Sequence, residues 1–303
     1  MLTPEQKEER KKFLGSSDAP AIVGVDPSRT PYDVWADKAN QIERREPKGN
    51  RAMDAGLVLE DSVLRWAEMK LERPIVRDLQ GRAGRMILHP NGIMAANLDG
   101  IILDGEPAIV EAKTSGIVGH LRWDDWGEED SEDVPDRVLA QVAHQFAVVR
   151  ASMELDVRTA YVPALLGGRG FVMFQLRYVP ELVEGIVEAE ESFWRKHVVT
   201  KIAPEDLPSF STLRALRRVP DKVAEIPNEI VLEWKDKKAL EQLAKQAKED
   251  AERTLLLAFG DAEVAEWEGG VITYRKQIRK EHLVPESAFR SLREGKKKKE
   301  QKS

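Results

Sequence analysis

Asn97-Leu98-Asp99-Gly100-Ile101-Ile102-Leu103, followed after a short polar turn by Ala108-Ile109-Val110-Glu111-Ala112-Lys113, decides how this chain is read. Both runs are short and apolar, and Gly, Pro, Asn and Asp separate them, which is the punctuation of strands in a meander. One strand starts from an aspartate and the next ends in Glu-Ala-Lys. A strand period of two puts the Glu111 and Lys113 side chains on one face, while Ala112 turns into the core and offers its carbonyl as a further oxygen ligand. Two carboxylates on neighbouring strands can converge on a hard cation such as Mg²⁺, which prefers oxygen ligands and helps make hydroxide near neutral pH. A lysine beside them can orient or deprotonate the attacking water, or stabilise charge that builds on phosphate. Asp99, Glu111 and Lys113 are therefore the candidate catalytic centre, with Asp99, Glu111 and Ala112 as metal ligands.

Working outward, Arg85–Leu88 and Ile93–Leu98 read as further strands. Upstream, residues 5–12 form a short charged helix. Gly15-Ser16-Ser17-Asp18 is a turn able to cap a helix from Ala19, and Tyr32–Asn40 is a helix with Tyr32, Trp35, Ala36 and Ala39 on one face. Ala52–Glu72 is a strong helix whose apolar stripe holds Leu57, Leu64, Ala67 and Leu71, with Glu60 among them. Downstream, an acidic loop over Asp124–Asp136 precedes a helix at 137–150. Strands follow at Val157–Pro163 and Gly170–Val179, and then a long helix at Pro180–His197. Four prolines between 203 and 228 mark a linker or an extended wrap, after which Glu229–Phe259 is a charged helix. A hairpin turns at Gly269-Gly270 between 262 and 277, and Lys296–Lys299 is a solvated charge run.

Composition bounds the function. In 303 residues, 42% hydrophobic and 33% charged content is an ordinary globular mix with a charge-rich surface. No stretch approaches the roughly 18 apolar residues of a membrane span, and the charged start is no secretory signal, so a cytoplasmic location is expected. The absence of cysteine excludes disulfides, cysteine-bound zinc and iron–sulfur clusters. A net charge of −6 is neutral evidence about nucleic acid, since a basic groove on an acidic body still binds phosphate. Glu-x-Lys alone carries little weight in such a chain, for it recurs at Glu5-Gln6-Lys7, Glu68-Met69-Lys70 and Glu233-Trp234-Lys235. Among these, the copy at 111 is the one that follows an apolar strand and a preceding Asp-Gly.

An ordered set of further motifs carries a resemblance. Phe13-Leu14-Gly15-Ser16-Ser17-Asp18-Ala19-Pro20-Ala21-Ile22-Val23-Gly24 is followed by Thr30-Pro31-Tyr32-Asp33-Val34-Trp35 and by Gly56-Leu57-Val58-Leu59-Glu60. Then come the two metal motifs, Gln141-Val142-Ala143-His144-Gln145, Leu166-Gly167-Gly168 and Phe193-Trp194. Over about residues 10 to 205 this resembles the YqaJ-like viral recombinases, relatives of the phage lambda exonuclease within the PD-(D/E)XK nucleases. The resemblance implies an α/β fold with a restriction-endonuclease-like central mixed sheet flanked by helices, spanning residues 1–215. Residues 216–303 would add a linker, a helix and a β-hairpin extension with a basic tail.

The resemblance also implies roles. Glu60 would support the site or a second ion, and Gln141 would lie at the metals or touch DNA, with Gln145 a turn away. Arg10 and Ser17 match in spacing an Arg…Ser pair that receives a 5′-phosphate. Asn97 stands where the third member of that pocket is a serine. The implied reaction is Mg²⁺-dependent hydrolysis of linear double-stranded DNA from a 5′ end, with Mn²⁺ able to substitute. Implied partners are DNA ends, a single-strand annealing recombinase of the RecT or Beta kind, and copies of the chain in a ring. Blander roles stand beside these: Gln141 and Gln145 as internal hydrogen-bonders, Ser17 as a helix cap, His144 as a packing residue and His89 as a turn residue. Trp123 and Trp126 would cover the active site or meet a partner. An endonuclease, a helicase-associated nuclease and a non-catalytic DNA-binding assembly protein fit the same fold.

Overall fold

The computed structural model describes residues 8–42, 51–77, 86–116, 126–220 and 222–276. Trp123, the first part of the acidic loop and the lysines at 296–299 lie outside them. In chain order the first elements are strand β1 (Leu14–Gly15) and helices α1 (Ala19–Ile22), α2 (Pro31–Lys38) and α3 (Arg51–Leu71). Strands β2 (Ile87–Leu88), β3 (Met94–Ala96), β4 (Gly100–Ile102), β5 (Ala108–Val110) and β6 (Lys113–Ser115) come next. Helix α4 (Asp136–Met153), strands β7 (Thr159–Leu166) and β8 (Gly170–Arg177), and helices α5 (Pro180–Phe193) and α6 (Phe210–Ala215) complete the first unit. The chain divides into two compact units, Met1–Arg218 and Val219–Ser303.

The central sheet is mixed, as the sequence led one to expect. β4 pairs antiparallel with β5, β5 and β6 both run parallel to β7, and β8 closes the sheet antiparallel to β7. Alternation along these strands sorts the core into two layers. Ile109, Ile101, Ala160, Val162, Phe174 and Leu176 join the cluster containing Val138, Val142 and Phe146 of α4. Ala108, Val110, Ile102 and Met173 face Leu64 and Ala67 of α3. One sheet thus has a helix layer on each face, because its strands are apolar on both sides. A smaller sheet sets β3 between β1, parallel to it, and β2, antiparallel.

Several elements differ from their sequence-based bounds. Asp18 does not cap α1, because its carboxylate accepts from the Gly15 amide at 3.0 Å and meets Arg29 and Lys38. Helix α1 is only four residues long. α5 passes into a π-helical turn over Trp194–Val199. Trp126 is buried and packs on Phe174 with ring centroids 5.1 Å apart, so it belongs to the core and covers no site. The loop after it lies along β8, with the Asp130 amide donating to the Met173 carbonyl and the Gln175 amide to Ser131. That protects an edge strand that would otherwise present bare backbone groups.

The second unit holds helix α7 (Asn228–Phe259) and the hairpin β9 (Val264–Trp267) and β10 (Gly270–Thr273), which pair antiparallel with Trp267 opposite Gly270. Phe259 is buried at the end of the helix, its ring tilted against Tyr274. Among the described residues, no helix is long and apolar enough to cross a membrane.

Candidate metal centre

The site forms where β4 and β5 meet. Gly100 lies opposite Val110, so Asp99 and Glu111 stand just beyond the paired residues, at the same end of the two strands. Asp99 accepts a hydrogen bond from the Ala112 amide at 2.9 Å, which ties the first carboxylate to the backbone beside the second. Glycine at 100 is a packing necessity: a Cβ there would lie 2.3 Å from Cγ2 of Ile75. Asp99 is thereby placed by a backbone that presses directly onto a core side chain.

The run predicted as one strand, 108–113, is interrupted at Glu111-Ala112. β5 and β6 nevertheless keep one register against β7, Val110 facing Tyr161 and Lys113 facing Ala164. The Glu111 amide donates to the Tyr161 carbonyl at 3.0 Å. The reciprocal donor in a parallel ladder would be the amide of residue 163, and Pro163 has none. A single missing N–H on the partner strand therefore breaks the ladder beside Glu111. Ala112 packs with the α3 layer, leaving Glu111 and Lys113 to the α4 side.

Glu111 is 3% exposed, and a buried carboxylate needs partners. It has three. Lys113 Nζ donates to Oε1 at 2.5 Å, Gln141 Nε2 donates to the same oxygen, and Gln145 Nε2 donates to Oε2 at 2.6 Å. Lys113 also donates to Oε1 of Gln141 at 2.9 Å. Gln141 and Gln145, one helical turn apart on α4, grip the two oxygens of one carboxylate. Gln145, expected to touch DNA, is fully buried behind Glu111. Gln141 is partly buried and lies at the site.

Glu60 approaches on α3, where a Cβ on Gly56 would come within 3.5 Å of Oγ1 of Thr114 on β6. Burial, and then the charge of Glu111, raise its pKa above the ordinary glutamate range. Asp99 is raised well above the usual carboxylate range by burial and by the nearby Glu111 and Glu60, against the opposing pull of Lys113. Among the described residues, no three His, Cys, Asp or Glu side chains form a group that could hold an ion. Glu60 therefore feels both carboxylates without completing a chelating triad with them. The donor set still fits a hard cation: two crowded carboxylates, the Ala112 backbone and mutual repulsion that a positive ion would relieve. Buried amide oxygens of Asn97 and Gln145 that lack a hydrogen-bond partner add to this excess of acceptors.

The remaining candidates lie elsewhere. Arg10 is half-buried in a 3-10 turn, its guanidinium 3.9 Å from where a Cβ on Gly15 would stand. Ser17 is exposed, and its carbonyl accepts from Arg29. Because β1 and β3 run parallel, the turn after Gly15 and the turn holding Asn97 leave the small sheet at the same end. Lys38 and Arg29 converge on Asp18; burial opposes its charge, but the two cations outweigh that and hold its pKa well below the usual range. His144 is wholly buried with Glu190, a pairing that spacing along the chain did not reveal. His89 is in a turn, its Nδ1 accepting from the Asn91 amide.

The mixed sheet thus brings an aspartate and a Glu-x-Lys pair to one end, with a glutamate of α3 close enough to raise the pKa of Asp99. Residues 6–154 match the family model of the YqaJ-like viral recombinase domain. The chain is 32% identical over 197 residues to the uncharacterized protein YqaJ of Bacillus subtilis (strain 168), a match over 65% of this chain and 56% of that protein. The chain thus spans somewhat more than half the length of that relative. Among solved structures it is similar to an alkaline exonuclease, LHK-Exo, from Laribacter hongkongensis. There the TM-score is 0.47 at 12% identity, covering 66% of this chain and 94% of that one. A phage related exonuclease from Haemophilus somnus 129PT gives a TM-score of 0.39 at 9% identity, over 65% of this chain and 99% of that one.

Proposed function

We propose that this protein is a metal-dependent deoxyribonuclease, and specifically an exonuclease that degrades linear double-stranded DNA from 5′ ends to leave 3′ single-stranded tails. The observation that carries the reading is the buried Glu111, gripped by Gln141 and Gln145, with Lys113 on it and Asp99 across the strand pair. Asp99, Glu111 and the carbonyl of Ala112 would hold Mg²⁺, or Mn²⁺ in its place, with Glu60 as electrostatic support. When bound, the ion supplies charge neutralisation at the phosphate and makes its water more acidic. Glu111 is held rigid by its two glutamines, so the ligand position is set before substrate arrives. The Lys113 ammonium, kept beside Glu111 and Gln141, can swing to orient the attacking water or to meet charge on a phosphate oxygen.

Residues 1–215 form the nuclease domain in this reading, and the helix and hairpin of the second unit serve assembly or partner contact. The tails would feed a single-strand annealing recombinase in the host cytoplasm, and a ring of copies would encircle the duplex. Digestion of linear DNA labelled at the 5′ or the 3′ end, with Mg²⁺ or with EDTA, tests the core of this proposal. Early release of a 5′ label only with the metal is expected. Cleavage of covalently closed circles would instead identify an endonuclease.

A further inference from the structure

Glu111 is held by α4, while Asp99, tied to the Ala112 amide on one side, is led into on the other by the last strand of the small sheet. β1 ends at Gly15, opposite Ala95, and the Ala95 carbonyl is met by Nε2 of His144 at 3.0 Å. His144 lies on α4 between Gln141 and Gln145, three residues after the first and next to the second, so all three share one face of the helix. From Ala95 the chain runs through the end of β3 and the Asn97-Leu98 turn directly to Asp99. One helix face thus holds Glu111 through two amides and, through an imidazole, the strand that leads to Asp99.

The imidazole is itself fixed. Its Nδ1 lies 2.8 and 3.0 Å from the two oxygens of Glu190 on α5, and both residues are fully buried. Nε2 faces a carbonyl oxygen, which can only accept, so that nitrogen carries a hydrogen whatever proton Nδ1 and Glu190 share. Glu190 therefore fixes the ring's orientation with its donor aimed at Ala95. A buried carboxylate spent on orienting a histidine is the arrangement used to hold ligands around metals, but here it acts through the backbone of the ligand strand.

We propose that His144, oriented by Glu190, is a positioning residue that sets the Asp99 arm of the metal centre relative to Glu111. The inference rests on the reading of Asp99 and Glu111 as metal ligands, and it is independent of whether DNA is cut. The test is Mn²⁺ binding to the full chain by electron paramagnetic resonance, without DNA, with thermal unfolding as a check on the fold. His144→Gln can place an amide donor at the Nε2 position and reach Ala95. His144→Asn reaches only the Nδ1 position and keeps Glu190 satisfied. Positioning through Ala95 predicts that His144→Gln stays within about threefold of the wild-type Mn²⁺ affinity, whereas His144→Asn falls about 10-fold or more. A purely structural role for the buried pair predicts the reverse order of damage in thermal stability, with Mn²⁺ affinity unmoved in both.

If His144→Asn does not fold, the double variant His144→Leu with Glu190→Leu removes both buried polar groups together and takes its place. The same 10-fold loss is then expected. Unchanged Mn²⁺ affinity in a folded variant lacking the Ala95 donor overturns the proposal. Glu111→Gln serves as the control for the centre itself: if it binds Mn²⁺ as the wild type does, the metal-ligand reading fails rather than the role of His144.

Discussion

Nε2 of Gln145 donates to Oε2 of Glu111 at 2.6 Å in a position with no exposed surface. A glutamine so placed serves to hold a buried carboxylate in position. Gln145→Leu, close in size, would leave that oxygen without a donor. We expect cleavage to fall about 10- to 100-fold, the range for losing a group that holds a metal ligand. DNA affinity measured in Ca²⁺ should not change. A loss of DNA affinity comparable to the loss of rate would return Gln145 to the DNA interface.

Lys113 makes the opposite case, since it is partly exposed and its two partners are also site residues. Lys113→Ala removes a cation but no oxygen ligand. Cleavage is expected to drop about 100- to 1,000-fold, as on loss of one charge-stabilising donor at a reacting centre. Mn²⁺ binding should persist or tighten, because the positive charge competing for Glu111 is gone. Near-normal single-turnover cleavage by Lys113→Ala would remove the lysine from the mechanism.

How much of this was legible in the sequence depends on whether the cause was local. The alternation that puts Ile109 and Val110 in different core layers is written in the strand itself, and so is the neighbourhood of Glu111 and Lys113. The break between β5 and β6 is not, because it is caused by Pro163 on a strand fifty residues away. The burial of Gln145 was not legible either, because a helix with apolar residues nearly all round does not show which face meets the sheet. Asp18 looks like a cap beside Ser17, yet its partners Arg29 and Lys38 come from a later loop and helix. Trp126 sits in an acidic stretch, and only the packing against Phe174 shows that the loop is pinned by its aromatic side chain.

Gly100 tests the placement of Asp99 by sterics alone. Gly100→Ala would bring a methyl group within 2.3 Å of Cγ2 of Ile75, so the strand or the side chain must shift. Overpacking of this kind costs about 1–3 kcal/mol in stability. Cleavage should fall further than stability does, since the displaced residue adjoins Asp99, a proposed metal ligand. Ile75→Val with Gly100→Ala, which frees space, should recover part of the rate. Failure of a correctly folded double variant to recover any would mean that the glycine acts by something other than its fit.

The Asp18 cluster predicts an acid limit on stability. The folded pKa lies below that of the unfolded chain because Lys38 and Arg29 outweigh burial. Its contribution is therefore complete above the ordinary aspartate range, near pH 4, and is lost as pH falls from there toward the depressed value. Denaturation midpoints should fall over that window in the wild type. In Asp18→Asn the fall should be smaller and the neutral-pH stability lower by about 2 kcal/mol. Identical acid profiles for the two proteins would show that the pair of cations gives the carboxylate no net preference for its charged form.

An exonuclease must tell a terminus from the middle of a duplex, and a terminal phosphate is the obvious handle. Arginine suits that task because its planar fork donates paired, charge-assisted hydrogen bonds to phosphate. Arg10 lies against the Gly15 turn, its carbonyl held by Lys38 at 3.1 Å, and exposed Ser17 sits in the same turn. The one-turn helix α1 is too short to contribute a helix dipole, so the donors reduce to the arginine, the serine and the neighbouring turn of Asn97. The side-chain amide of Asn97 can itself donate. We therefore expect 5′-phosphorylated ends to be digested faster than 5′-hydroxyl ends. Arg10→Ala should abolish that preference while single-turnover chemistry on pre-bound DNA persists. Loss of one charged hydrogen-bonding partner costs on the order of 1.5–3 kcal/mol, or roughly ten- to hundred-fold in preference. Equal digestion of both kinds of end by the intact protein would remove the phosphate pocket and leave the metal centre standing.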